Sequence, residues 1–258
     1  MLAIIGGSGL SQLSNLDVMS REIVRTPYGE PSSVLSFGRL GGQEAVFLAR
    51  HGHGHTIAPH RVNYRANIWA LKEAGASHIV SVASVGGITS GLQPGDLVVP
   101  HQIIDYTWGR TSTFFEDDGA SVTHIDFTEP YDARLRGCLL EAAKAAGIAV
   151  RDGGVYAVTQ GPRLETAAEI DRLERDGAEV VGMTGMPEAA LARELGIPYA
   201  AINLIANHAA GRHDSRQGIV FDRLEAVLKE AMEKVRMVLA EVALPEDESG
   251  EFQRKGRE

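Results

Sequence analysis

Cysteine is nearly absent: Cys138 is the only one in 258 residues. A lone thiol cannot close an internal disulfide, so a reducing cytoplasm is the simplest expected setting. Long hydrophobic runs are missing too, since no stretch approaches the roughly 18 apolar residues of a membrane span. Met1 to Gly7 is too short and uncharged for a signal peptide, so none is expected. Positive charge is scarce: 25 basic against 34 acidic side chains leave a formal net charge of −9. General nucleic-acid binding needs clustered Lys and Arg, so neither nucleic acid nor membrane is an expected partner. A small anionic substrate remains open, because a local site can oppose the global charge. Internal repeats and low-complexity segments are also absent. With 44% hydrophobic and 23% charged residues, a disordered chain is excluded.

Glycine, by contrast, is plentiful, and much of it sits beside apolar runs, which suggests tight turns against strands. The runs Leu2–Ile5, Ala45–Leu48, Ile79–Val82, Leu97–Val99, Val155–Val158, Glu179–Val181 and Tyr199–Ile205 read as strands. Their mostly aliphatic content fits burial on both faces. Helical spacing covers Val62–Glu73, Ala133–Ala146, Glu165–Arg175 and Pro187–Leu195. A final helix is clearest, with Leu224, Val227, Leu228, Ala231, Val235, Val238 and Leu239 at steps of mostly three or four. Gly75, Gly147 and Gly196 stand where helices should stop. The expected fold class is α/β: one domain over residues 1–244, with a mixed central sheet flanked by helices. Residues 245–258 form a charged tail, expected to be disordered. Thr107–Ala120, polar and acidic, reads as an exposed loop.

Chemistry can gather at the strand ends. Gly6-Gly7-Ser8-Gly9 follows the first strand, where backbone N–H groups and a hydroxyl can meet a phosphate. It is neither a Walker loop nor a dinucleotide fingerprint, and a plain tight turn is the simpler reading of it alone. Ala83-Ser84-Val85-Gly86-Gly87 reads as a second loop after a strand, and the two could line one crevice. Arg50-His51-Gly52-His53-Gly54-His55 invites three readings: metal site, surface loop or anion site. No Cys, Asp or Glu accompanies the histidines, whereas a guanidinium matches a tetrahedral oxyanion through paired N–H donors, so the anion is favoured. Glu165, at the end of Gln160–Glu165, can be a helix-dipole partner or a site carboxylate. Met183-Thr184-Gly185-Met186-Pro187-Glu188 repeats the order of strand, polar loop and helix. Asn207 can cap a turn or offer a donor and an acceptor to a heterocycle.

Together these stretches resemble the trimeric purine nucleoside phosphorylase and methylthioadenosine phosphorylase family. The matching pieces are Gly6–Gly9, Arg50-His51, His55-Thr56, Val62–Leu71, Gln93–Asp96, Gly161–Arg163 and Gly182–Thr184, in order from Ile4 to about Val242. The resemblance implies a nucleoside phosphorylase-like fold, a homotrimer, and phosphorolysis of a purine nucleoside. It implies no metal and no organic cofactor, inorganic phosphate being a co-substrate. Phosphate would be held by Ser8, Arg50, His51, Thr184 and the Ala83–Ser84 backbone, although the family often has Thr or Asn at the position of Ala83. Met183 would lie beneath the ribose. His124 matches a position that reaches a neighbouring subunit's site, and an ordinary surface histidine is the other reading.

The resemblance also divides by substrate. Methylthioadenosine enzymes have two Asp where this chain has Asn207 and Ala209, and a Ser where it has Glu165. The 6-oxopurine enzymes have Asn and Glu at the positions of Asn207 and Glu165. A carboxylate accepts from N1–H and an amide donates to O6 or N7, so a hypoxanthine base is expected. On the 5′ side, Phe221 stands where 6-oxopurine enzymes place a His, and the methylthio enzymes have aliphatic residues at Phe221 and Leu224. That implies an apolar niche for a methylthio group, unless both are simply core residues of the last helix. Leu164 replaces a Phe on which many relatives stack the purine. The expected substrate is therefore methylthioinosine. Inosine or guanosine, methylthioadenosine, phosphate-free hydrolysis, and a non-catalytic nucleotide- or metal-binding protein are the alternatives.

Overall fold

The aliphatic runs are buried because they fill the middle of one large sheet. The computed structural model describes residues 1–116 and 121–245, with only the backbone at 221–223 and 225. The tail from 246 onward therefore lies outside the described residues, as do positions 117–120 of the expected loop. In chain order the elements are β1 (Leu2–Gly6), β2 (Asp17–Glu22), β3 (Leu35–Leu40), β4 (Gln43–Ala49), α1 (Tyr64–Glu73), β5 (His78–Gly87), β6 (Leu97–Val99) and β7 (Gln102–Asp105). They continue as α2 (Ala133–Ala145), β8 (Val150–Asp152), β9 (Val155–Val158), α3 (Ala167–Arg175), β10 (Val180–Gly182), α4 (Gly185–Glu194), β11 (Tyr199–His208) and α5 (Phe221–Ala240).

One path of the sheet runs β2-β3-β4-β1-β5-β10-β9-β7, and a branch leaves β5 through β11 to β6 and β8. Parallel pairs (β1 with β4 and β5, β11 with β5) mix with antiparallel ones such as β10 with β5. The four strands not anticipated from sequence are β2, β3, β7 and β8. β2, β7 and β8 are short or polar, β2 being exposed along its whole length, and in β3 Ser36, Gly38 and Arg39 interrupt the apolar residues, so no apolar run marks any of them.

The expected loop Ala83–Gly87 is strand instead, the second half of β5. Its glycines serve close packing rather than a turn. A Cβ on Gly86 would come within 3.2 Å of Val181 Cγ1, and one on Gly87 within 3.2 Å of Ile205 Cγ2. β1 pairs with β5 only as far as Ser81, and β10 joins only at Gly86. Between these points the edge of β5 is open, and the sheet splits there. Such a division leaves a crevice at strand ends.

Caps set the helices around that crevice. Asn63 Oδ1 accepts from Ala66 N at 3.1 Å and starts α1, while Asp132 Oδ1 accepts from Leu135 N at 2.7 Å and starts α2. Thr166 starts α3 through a reciprocal capping box with Glu169. That shifts the helix start past Glu165, which lies outside it. The helix-dipole role falls to Glu169. In α5, Ala231, Val235, Val238 and Leu239 are buried, as the stripe required, and so is Met232, while Leu224, Val227 and Leu228 are only half-buried.

Candidate active site

The crevice is a cavity of about 510 Å³. Its walls include Gly7, Ser8, Arg50, His51, Ala83, Ser84, Leu164, Glu165, Met183, Thr184, Asn207, Ala209 and Leu224. Ten of these residues stand at or beyond strand ends, and Ala83–Ser84 lie on the open edge of β5. Residues almost 220 positions apart thus converge because the sheet divides.

On one side, Ser8 follows β1, and its Oγ lies 3.4 Å from His55 Nε2. Thr184 precedes α4, whose first residues are broken by extended backbone at Met186, and its side chain makes no capping bond, so the hydroxyl is not tied to the helix. His51 Nδ1 donates to the Ile57 carbonyl oxygen at 2.8 Å, which fixes the tautomer and leaves Nε2 as an acceptor, so His51 lines the cavity but has no N–H to give the phosphate it was expected to hold. Burial, with the Arg50 cation beside it, pushes His51 down to about 4, so the ring is neutral at pH 7. Burial also lowers His55.

Arg50 faces inward. Paired N–H donors were expected to grip the oxyanion, yet the side chain is fully buried and four of its five N–H groups are donated inward. Nε and Nη2 pair with Glu188 at 2.7 and 2.9 Å, Nη2 also reaches Ser81 Oγ at 2.7 Å, and Nη1 reaches the Val82 carbonyl oxygen at 3.0 Å. Burial alone would lower the pKa of Arg50, but the Glu188 carboxylate outweighs it and holds the guanidinium above its ordinary value. One Nη1 N–H has no partner among the described residues. It sits against Gly7, where a Cβ would come within 2.8 Å of Nη1.

On the other side, Glu165 Oε1 accepts from Thr159 Oγ1 at 2.6 Å, which orients the carboxylate. Asn207 stands on β11 at a register shift and donates one amide N–H to the His208 carbonyl oxygen at 2.6 Å. It is part of a strand, not the cap of a turn. Its second N–H and its oxygen have no protein partner among the described residues. Ile219, Leu224 and Leu228 add an aliphatic wall. Such a cavity can take a flat polar heterocycle, an apolar substituent and an anion together.

The chain matches the phosphorylase superfamily over residues 1–243. It belongs to that family. Its relatives include the protein named probable S-methyl-5'-thioinosine phosphorylase of Pseudomonas syringae pv. tomato, 55% identical over 93% of this chain and 97% of that one. The 6-oxopurine nucleoside phosphorylase of Pyrococcus furiosus is 42% identical over 94% of this chain and 92% of that one. A solved structure of Schistosoma mansoni methylthioadenosine phosphorylase with adenine superposes with a TM-score of 0.89 at 34% identity, covering 93% and 90% of the two chains. The α/β fold with a mixed sheet flanked by helices is thus the nucleoside phosphorylase fold.

Two expected site residues of this phosphorylase-superfamily chain are not among the described cavity walls. His124 is exposed in an irregular segment, and the Phe221 side chain lies outside the described residues. Among the described residues, no three His, Cys, Asp or Glu side chains converge as a metal would require. Arg110, from the supposedly exposed loop, donates Nη1 to the carbonyl oxygens of Met183 (2.8 Å) and Met186 (2.7 Å). Its Nη2 reaches those of Thr159 (3.2 Å) and Gln160 (2.9 Å). Its guanidinium also lies 5.5 Å from the Tyr64 ring centroid. No motif surrounds it. Only an arginine in a polar loop ahead of Phe114-Phe115 hinted that the loop docks, and Phe114 is indeed buried.

Proposed function

We propose that the chain catalyses phosphorolysis of S-methyl-5'-thioinosine, giving hypoxanthine and 5-methylthioribose 1-phosphate, as a step of purine salvage. The observation that carries this reading is the joint presence of Glu165 and Asn207 on one cavity whose wall continues into Ile219, Leu224 and Leu228. The carboxylate suits the N1–H of a 6-oxopurine, and the amide N–H left over from the His208 contact suits O6 or N7. An aliphatic wall gains from a methylthio group and leaves a 5′-hydroxyl without a partner. The name of the Pseudomonas relative supports the same substrate.

In the reaction the N9–C1′ bond breaks and its electron pair goes to the purine. An oxygen of phosphate forms the new C1′–O bond from the opposite face. The purine anion takes its proton from solvent. Asn207 stabilises the charge that develops on the purine, while Ser8, Thr184, Arg50 and the Ala83–Ser84 backbone hold the phosphate. Met183 lies under the ribose. The residues supply all these roles, so the reaction is proposed to need neither metal nor organic cofactor. The working form is proposed to be a cytoplasmic homotrimer in which His124 reaches a neighbouring site.

A panel of methylthioinosine, inosine, methylthioadenosine and adenosine, each with and without phosphate, tests the reading. Phosphate-dependent release of hypoxanthine, fastest from methylthioinosine, is expected. Preference for an adenine nucleoside, or cleavage without phosphate, would refute it. The Pyrococcus relative favours a second reading, ordinary 6-oxopurine nucleoside phosphorolysis. Equal or greater kcat/KM with inosine would establish that alternative.

A further inference from the structure

Glu188, in the first turns of α4, is fully buried and is not itself part of the cavity wall. Its Oε2 accepts from Arg50 Nε at 2.7 Å, and its Oε1 accepts from Arg50 Nη2 at 2.9 Å and from the Tyr199 hydroxyl at 2.8 Å. The guanidinium is therefore already ion-paired where it meets the cavity. Among the described residues of the wall, Arg50 is the only Lys or Arg. His51 and His55 stand beside it with their charged forms disfavoured by burial. The donors left for an anion are the Ser8 and Thr184 hydroxyls, backbone N–H groups and one Nη1 N–H.

We propose that Glu188 is a positioning residue that cancels the charge of Arg50 and locks its plane, so that the phosphate subsite holds its dianion through hydrogen bonds without net positive charge. The inference rests on the reading of phosphate as co-substrate. An uncompensated guanidinium would bind the ground-state dianion more tightly, and it would draw off the electron density that an oxygen must give to C1′. Only interactions stronger in the transition state raise turnover. A bidentate carboxylate also fixes which guanidinium edge is presented, which a neutral partner cannot do as well.

The test is steady-state phosphorolysis at varied phosphate, in low and high KCl, for the wild type and Glu188→Gln. In the variant the KM for phosphate should fall on the order of tenfold, because a unit charge is uncovered near the anion. Its kcat should stay level or drop, and the nucleoside KM should hardly move. Its phosphate KM should also climb with KCl, whereas that of the wild type should not. An unchanged or higher phosphate KM in a variant with native circular dichroism overturns the proposal, since a merely structural role predicts that result. Should Glu188→Gln fail to fold, the wild type decides: a phosphate KM flat in KCl supports a neutral subsite, and a severalfold rise overturns it. Wild-type cleavage that needs no phosphate would instead defeat the underlying reading of the reaction.

Discussion

Asn207 and Glu165 are each fastened from behind, and this gives two flexible-headed side chains a fixed orientation. The Asn207 amide is tied to the His208 carbonyl oxygen at 2.6 Å, and the Glu165 carboxylate to the Thr159 hydroxyl at 2.6 Å. The free N–H of Asn207 is the group proposed to meet charge as it builds on the departing purine. Asn207→Ala should therefore lower kcat by roughly 10²-fold, the usual cost of removing one aimed donor. The KM for phosphate should stay within about twofold, since this side chain is not among the proposed phosphate donors. Steady-state kinetics in both substrates measures the split, and equal losses would contradict the role. At this scale the sequence displayed the residue types but not how their donors are distributed. Arg50 stood out beside its histidines, yet its partner Glu188 is 138 positions away, and no local pattern links the two.

Elements were legible where they carry an aliphatic run or an apolar stripe, as in β1, β9 and α5. They were illegible where pairing alone makes them: β2, β7 and β8 have little to bury. Ala83–Gly87 misled for the opposite reason, because small residues and glycines look like a turn when they serve a tightly packed strand beside an open edge. The loop carrying Arg110 misled most, since its polar composition hides a clamp. That one guanidinium ties the backbone at Thr159 and Gln160, which leads to Glu165, to the backbone at Met183 and Met186, which flanks Thr184. Arg110→Ala should lower kcat/KM for the nucleoside on the order of tenfold or more, because small displacements of reacting groups are costly. Hydrogen exchange at residues 159–165 and 183–186 should quicken in parallel. Arg110→Lys should recover only part of the loss, a point charge being unable to serve four carbonyl oxygens in a planar fork. Wild-type kinetics and exchange in Arg110→Ala would show that the two loops hold without it.

The whole molecule places its site where the central sheet divides at β5, so the cavity exists only once β1, β10 and β11 have all docked on that strand. The net charge of −9 lies elsewhere, and the cavity is proposed to meet its phosphate with one compensated cation and neutral donors. His124 remains apart from this arrangement. It is exposed on an irregular segment with Val122, 81% exposed, and Trp108, 72% exposed, stands on the same long connection between β7 and α2. Large apolar side chains left in water on one connection fit a face covered by another subunit. The proposed homotrimer accounts for both features: the apolar side chains would be buried between subunits and His124 would be carried to a neighbour's cavity. Light scattering should then find a particle of three times 27.7 kDa. His124→Ala should keep that mass while losing activity. Trp108→Glu should weaken assembly and lose activity with it. A fully active monomer would remove any part for His124, and a trimer indifferent to His124→Ala would confine the site to one chain.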